Sequence, residues 1–205
     1  EHMEEMGRWR RVNGVPDAVS AERQRGRQTL RLLAVAAMPT DLVRGGEHLK
    51  LGDWDFEIIW TPGHAPGHIC LYERARRILV SGDHILSPIT PNVSLHSMAD
   101  ENPLGNYLRS LQRVEGLPAD IVLSAHGEVI FGLRERASEI RRHHDARAQA
   151  TLRAIRDGEK TAWEIAPAIP WMDEERGWYK LSANHKCMAV TETLAHLELL
   201  RSEGA

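Results

Sequence analysis

Three segments of this 205-residue chain place a histidine or an aspartate just after a short apolar run and close to glycine. They are Thr61-Pro62-Gly63-His64-Ala65-Pro66-Gly67-His68, Ser81-Gly82-Asp83-His84 and Ser124-Ala125-His126-Gly127-Glu128. Imidazole nitrogen and carboxylate oxygen are the donors that a borderline divalent cation such as zinc prefers. The glycines let the backbone turn sharply where a strand meets a loop, so that such side chains can gather at one edge of a sheet. His64, Asp83 and His126 are therefore candidate metal ligands. A cation held by them would lower the pKa of water to about 7 and stabilise an oxyanion, which is hydrolytic chemistry without a protein nucleophile. In keeping with that, the chain has no Gly-x-Ser-x-Gly elbow, no P-loop and no Gly-x-Gly-x-x-Gly fingerprint.

The other histidines divide by context. His68, four residues after His64, is expected to play a supporting role by bonding a carbonyl or carboxylate. His84 follows Asp83 directly and either lines a substrate site or is structural. His143 and His144 are neighbours on a predicted helix, where successive side chains point about 100° apart, and are expected at the surface. His2, His48, His96, His185 and His196 show no ligand pattern.

These candidates need a sheet to position them. Leu49-Lys50-Leu51, a Gly52-Asp53 turn and Phe56-Glu57-Ile58-Ile59-Trp60 read as a β-hairpin. Ile69-Cys70-Leu71-Tyr72, Ile78-Leu79-Val80 and Ile121-Val122-Leu123 read as further short strands. Asn102-Pro103 predicts the start of a helix with Leu104, Leu108, Leu111 and Val114 on one face. Strands alternating with helices, with the candidates in strand-end loops, indicate a layered α/β domain. Toward the N-terminus, residues 1–38 are arginine-rich and helical in tone, interrupted at Val12-Asn13-Gly14-Val15-Pro16; the apolar run Leu32-Leu33-Ala34-Val35 closes at Met38-Pro39. Beyond Phe131, Leu133, Ala137, Ile140, Leu152 and Ile155 predict a long amphipathic helix ending near Asp157-Gly158. Thr161 caps a short helix through Ala166, and a second long helix follows from Leu181 to Leu200.

With its three motifs in this order, the chain resembles the metallo-β-lactamase superfamily, in its glyoxalase II-like and β-lactamase-like branch with a winged-helix-like tail. The resemblance runs from about Leu49 to His143. It implies the later part of an αββα sandwich over residues 1–140, followed by a small helical, winged-helix-like domain over 141–205. It implies that His64 belongs to a first metal site, that Asp83 bridges two metals as the catalytic carboxylate, and that His126 belongs to the second site. The cofactor would be one or two zinc ions, with iron or manganese as alternatives. The activity implied is a hydrolase using metal-activated hydroxide on a thioester, ester or lactone. The early His-x-His-x-Asp-His run of the family does not occur in this sequence. The expectation is therefore that the N-terminal part of the domain lies outside this chain, and that the chain alone is inactive. Residues 1–38 would correspond to a cap over the active-site mouth, or to a plain surface helix pair.

Composition narrows the alternatives. A formal net charge of −3 argues against a general polyanion binder. Acidic residues outnumber basic ones between Thr151 and Ala205, so the tail lacks the basic stripe of a nucleic-acid reader and is expected to pack or dimerise. Two cysteines, Cys70 and Cys187, are too few for a disulfide framework, and Cys70 reads as a buried thiol. No apolar stretch approaches the roughly 20 residues that cross a bilayer. The expected setting is the cytoplasm, with a small-molecule substrate, no nucleic acid, no membrane, and a homodimer as the candidate assembly. Two alternatives stay open: a non-catalytic binding or dimerisation module, and a phosphodiesterase or nuclease on the same fold. The segment Ser87-Pro88-Ile89-Thr90-Pro91-Asn92-Val93-Ser94-Leu95 is expected to form a fixed loop beside the metals.

Overall fold

Period-two alternation in the central segment builds one face of a sheet as core. In the computed structural model, which describes residues 2–31, 38–96, 101–156, 158, 161–171 and 177–204, five strands form. They are β1 (His48–Leu51), β2 (Trp54–Trp60), β3 (Ile69–Glu73), β4 (Ile78–Gly82) and β5 (Ile121–Ser124). They lie in the order β1-β2-β3-β4-β5, antiparallel except for the parallel pairing of β4 with β5. Tyr72, Leu79 and Val122 stand side by side in register, all fully buried. On the opposite face the row Ile58, Leu71, Val80 and Leu123 is less covered, with Leu123 38% exposed. Because successive residues face opposite ways, this one register fixes which side chains enter the core.

The chain divides into two compact units. One comprises Asp41–Val93 and Ala99–Asp145; the other comprises Glu1–Thr40, Ser94–Met98 and Ala146–Ala205. The sheet belongs to the first. So does α3 (Pro103–Glu115), whose start is held by the Asn102 side chain accepting from the Gly105 amide at 2.8 Å. Its buried stripe is Leu104, Tyr107, Leu111 and Val114, with Tyr107 taking the inward place expected for Leu108. The Ser110 hydroxyl donates to the Pro62 carbonyl at 2.9 Å and pins this helix to the turn that carries His64.

In the second unit every described element is helical: α1 (His2–Val12), α2 (Asp17–Arg31), the later part of α4 (Leu133–Arg156), α5 (Ala162–Ile165) and α6 (Ala183–Glu203). Val15, in the turn after α1, and Val19 of α2 share a core with the C-terminal helices. Val15, Ala162, Ala166, Trp178, Cys187 and Val190 form that core, and α2 packs on α6. Trp163 meets Trp178 edge to face at 4.9 Å between centroids, so the aromatic groups are packed rather than left in water. Thr161 caps α5 as the sequence indicates, and Glu164 completes a reciprocal capping box with it. The apolar run Leu32–Val35 and Asp157 lie outside the described residues. Among the described residues no helix is long and apolar enough to cross a membrane.

Candidate metal centre

Each candidate ligand leaves the sheet at a strand end: His64 in the turn after β2, Asp83 directly after β4, and His126 in the turn after β5. The structure brings the three together. His64 Nε2 lies 3.7 Å from Asp83 Oδ2, and His126 Nε2 lies 3.4 Å from Asp83 Oδ1. Each carboxylate oxygen therefore faces a different imidazole. Both separations exceed the roughly 2.7–3.2 Å of an N–H···O hydrogen bond. Two ligands about 2 Å from one tetrahedral ion stand roughly 3.3 Å apart, so the spacing and the N/O donor set fit a divalent cation beside each oxygen. His64 and Asp83 are about one-third exposed and His126 is two-thirds exposed, which leaves the group open to solvent on one side.

The orientation of His64 is set from outside its own loop. Its Nδ1 lies 2.8 Å from the Asn92 carbonyl oxygen, which can only accept, so Nδ1 donates there and Nε2 is the nitrogen turned toward Asp83. The turn at His126 is closed by Ser124, whose hydroxyl donates to the His126 carbonyl at 2.8 Å. The next residue, Gly127, has φ +86°, and a Cβ there would collide with the Ser87 carbonyl oxygen. Only glycine fits a backbone so close to another strand of chain.

Residues 86–92 thus touch two ligand turns, through Asn92 at His64 and through Ser87 beside His126. Side-chain hydrogen bonds reach this loop from a distant helix. Arg136 on α4 donates to the carbonyls of Leu86 (2.6 Å), Pro88 (3.1 Å) and Ile89 (2.7 Å) and pairs with Glu139 at 2.7 Å. Sequence reasoning missed Arg136, because an arginine in a charged helix gives no local sign that it folds back onto a loop about fifty residues away.

The remaining histidines separate clearly. His68 bonds a hydroxyl and a backbone amide rather than the carbonyl or carboxylate expected: Nδ1 lies 2.8 Å from Thr61 Oγ1, and Nε2 accepts from the Asp83 amide at 3.1 Å. Burial, and then the nearby His64, hold its pKa below the ordinary imidazole value, against a smaller opposing pull from Asp83. His84 points into the core and is fully buried. Burial first, and then the neighbouring His68, push its pKa down to about 3, against a weaker opposing pull from the Ser110 backbone. Its carbonyl accepts from the Tyr107 hydroxyl at 2.8 Å. The surface placement expected for His143 and His144 is overturned. His144 is 1% exposed, and His143 is half-buried with Nε2 3.2 Å from Thr90 Oγ1. The reason is periodicity: Leu133, Ala137, Ile140 and His144 fall at spacings of four, three and four on the buried stripe of α4.

Comparison with known proteins identifies the family. The sequence pattern of the Metallo-beta-lactamase superfamily matches residues 5–126, more than half the chain, and so begins well before Leu49, where the motif-based resemblance starts. A solved structure of a metallo-beta-lactamase family protein from Thermus thermophilus superposes with a TM-score of 0.82 at 34% identity, covering 98% of this chain and 60% of that one. The lactamase-like protein nscB of Neosartorya fischeri is 28% identical over 144 residues, 70% of this chain and 41% of that protein. The Bacillus subtilis protein named "Probable metallo-hydrolase YqjP" is 26% identical over 154 residues, 73% of this chain and 46% of that protein. The chain thus spans less than half the length of either of these two relatives. It belongs to the metallo-β-lactamase superfamily.

Proposed function

We propose that this chain contributes His64, Asp83 and His126 to the metal centre of a hydrolase acting on a small thioester, ester or lactone. The observation that carries the reading is the division of one carboxylate between two imidazoles, each at a distance that suits a shared cation. Nitrogen and oxygen donors of this kind suit zinc first, with iron and manganese compatible. A cation bound there acidifies water and polarises the oxygen of a substrate carbonyl.

The chain's own residues prepare the rest. Asp83 places its carboxylate between two imidazoles and sets the separation of the positions they face. The Asn92 carbonyl keeps the His64 proton on Nδ1. The loop held by Arg136 presents Ile89, 56% exposed, on the outer side of its clamped segment, where it can contact an apolar substrate group. The formal net charge of −3 favours a small substrate over a polyanion.

A second reading is a binding or dimerisation module on the same fold. The test is zinc content together with turnover of a panel of thioesters, lactones and phosphodiesters, for native protein and for His64→Ala. Turnover of a thioester, ester or lactone that falls with His64→Ala supports the hydrolase. A native protein that binds no zinc supports the module, and phosphodiester turnover alone supports a nuclease.

A further inference from the structure

We propose that His68 is a positioning residue for the metal centre, holding the backbone of Asp83 so that its two carboxylate oxygens reach two different imidazoles. This rests on the metal-centre reading above.

The reasoning begins at the end of β4. The ladder between β4 and β5 shifts register between Val80 and Gly82, so the strand leaves regular pairing just before Asp83. Such irregularities re-aim the next side chain and free a backbone amide from the ladder. The Asp83 amide finds its partner in His68 Nε2, at 3.1 Å. An amide only donates, so Nε2 must accept, and the proton of the neutral ring must sit on Nδ1. There it meets Thr61 Oγ1 at 2.8 Å. Thr61 is itself fully buried, and its amide donates to the His68 carbonyl at 2.8 Å. The ring is therefore held at both nitrogens, one end on the base of the His64 turn and the other on the ligand-bearing end of β4.

Gly82 gives an independent sign that the ring occupies a reserved place. Its φ is +53°, and a Cβ built there would stand 2.8 Å from His68 Nε2. Both nitrogens of His68 are engaged, so it is not a further ligand. It acts on the cation only through Asp83, and it ties two of the three ligand turns to one another.

The test compares full-chain native protein with His68→Gln, which keeps an acceptor near the Nε2 position, and His68→Phe, which keeps the volume without one. Zinc affinity is measured by calorimetry and Asp83 amide exchange by NMR. The expected result for His68→Phe is a loss of zinc affinity of about 10- to 100-fold with fast Asp83 exchange, while His68→Gln stays within about threefold of native on both readouts. If His68→Phe fails to fold, Thr61→Val carries the test, because it removes the Nδ1 anchor and otherwise only the longer Oγ1 contacts with the His68 carbonyl and Cys70 Sγ; it is expected to speed Asp83 exchange and weaken zinc binding. Native-like zinc affinity in His68→Phe, or a loss in His68→Gln equal to that in His68→Phe, overturns the proposal. So does a Thr61→Val variant unchanged in both measurements. A native chain that binds no zinc overturns the metal-centre reading itself and takes this role with it, whereas native binding with an indifferent His68 overturns the role alone.

Discussion

The proton-bearing Nδ1 of His64 lies 2.8 Å from the main-chain oxygen of Asn92, 28 residues further along the chain. A ligand is therefore aimed by a loop it does not belong to, and the loop is in turn held by Arg136 through three carbonyls. Arg136→Ala should leave those carbonyls without their donor and lower stability by about 1–3 kcal/mol. It should also weaken zinc binding although Arg136 touches no ligand. Denaturant unfolding and zinc calorimetry on the same variant check both effects; an unchanged zinc affinity would separate the loop from the site.

Removing any of the three facing groups should cost metal affinity, and Asp83 should cost most because it serves both histidines. His64→Ala and His126→Ala are expected to lower zinc affinity by at least about tenfold, and Asp83→Ala by more. His143→Ala, which removes a contact with Thr90, should leave zinc affinity unchanged. Equal affinities across the four variants would disprove the assignment.

Gly127→Ala should be tolerated poorly. Its φ of +86° disfavours a side chain, and the added Cβ would run into the Ser87 carbonyl oxygen. Relief requires movement of the Ser87 loop or of the His126 turn, at a cost of about 1–3 kcal/mol or more. Thermal unfolding reads the destabilisation, and a variant as stable as native would show that the turn can shift freely.

Both thiols should be slow to react in the folded protein. Burial pushes Cys70 up to about 12 and raises Cys187 as well, against weaker opposing influences from Thr61 on the first and from Arg23 and Arg10 on the second. A raised pKa means that the thiolate, which is the reactive form, is scarce below that value, so labelling should stay slow from about pH 7 to 9 and rise only in more alkaline solution. Addition of denaturant at about pH 8, near the ordinary thiol pKa, should release both thiols at once. Rapid labelling of native protein at neutral pH would contradict the burial.

Glu192 and Arg147 form a buried ion pair, with the guanidinium 4.5 Å over the Trp171 ring. Glu192→Ala strands a buried positive charge and should destabilise by about 3–5 kcal/mol, while the paired change Arg147→Met with Glu192→Leu should cost much less. A double-mutant cycle in urea measures the difference, and a single substitution no worse than the pair would argue that the charges are solvated.

What the sequence determined by itself was local. Apolar runs with glycine at their ends marked the strands and the turns that carry His64, Asp83 and His126. Asn102-Pro103 and Thr161 marked helix starts, because capping is settled within one turn of chain. The buried place of His144 was also present in the spacing of Leu133, Ala137, Ile140 and His144, though adjacency to His143 pointed toward the surface. Only the tertiary structure decided which carboxylate oxygen faces which imidazole, that a carbonyl at Asn92 orients His64, and that Arg136 holds the intervening loop. It also decided that Val15 and α2 share a core with the C-terminal helices. The physical reason is the same in each case. Hydrophobic burial is non-directional, so an apolar stripe does not name its partner. A hydrogen bond spanning 28 or 50 residues depends on how the whole chain closes, and no local pattern encodes that closure.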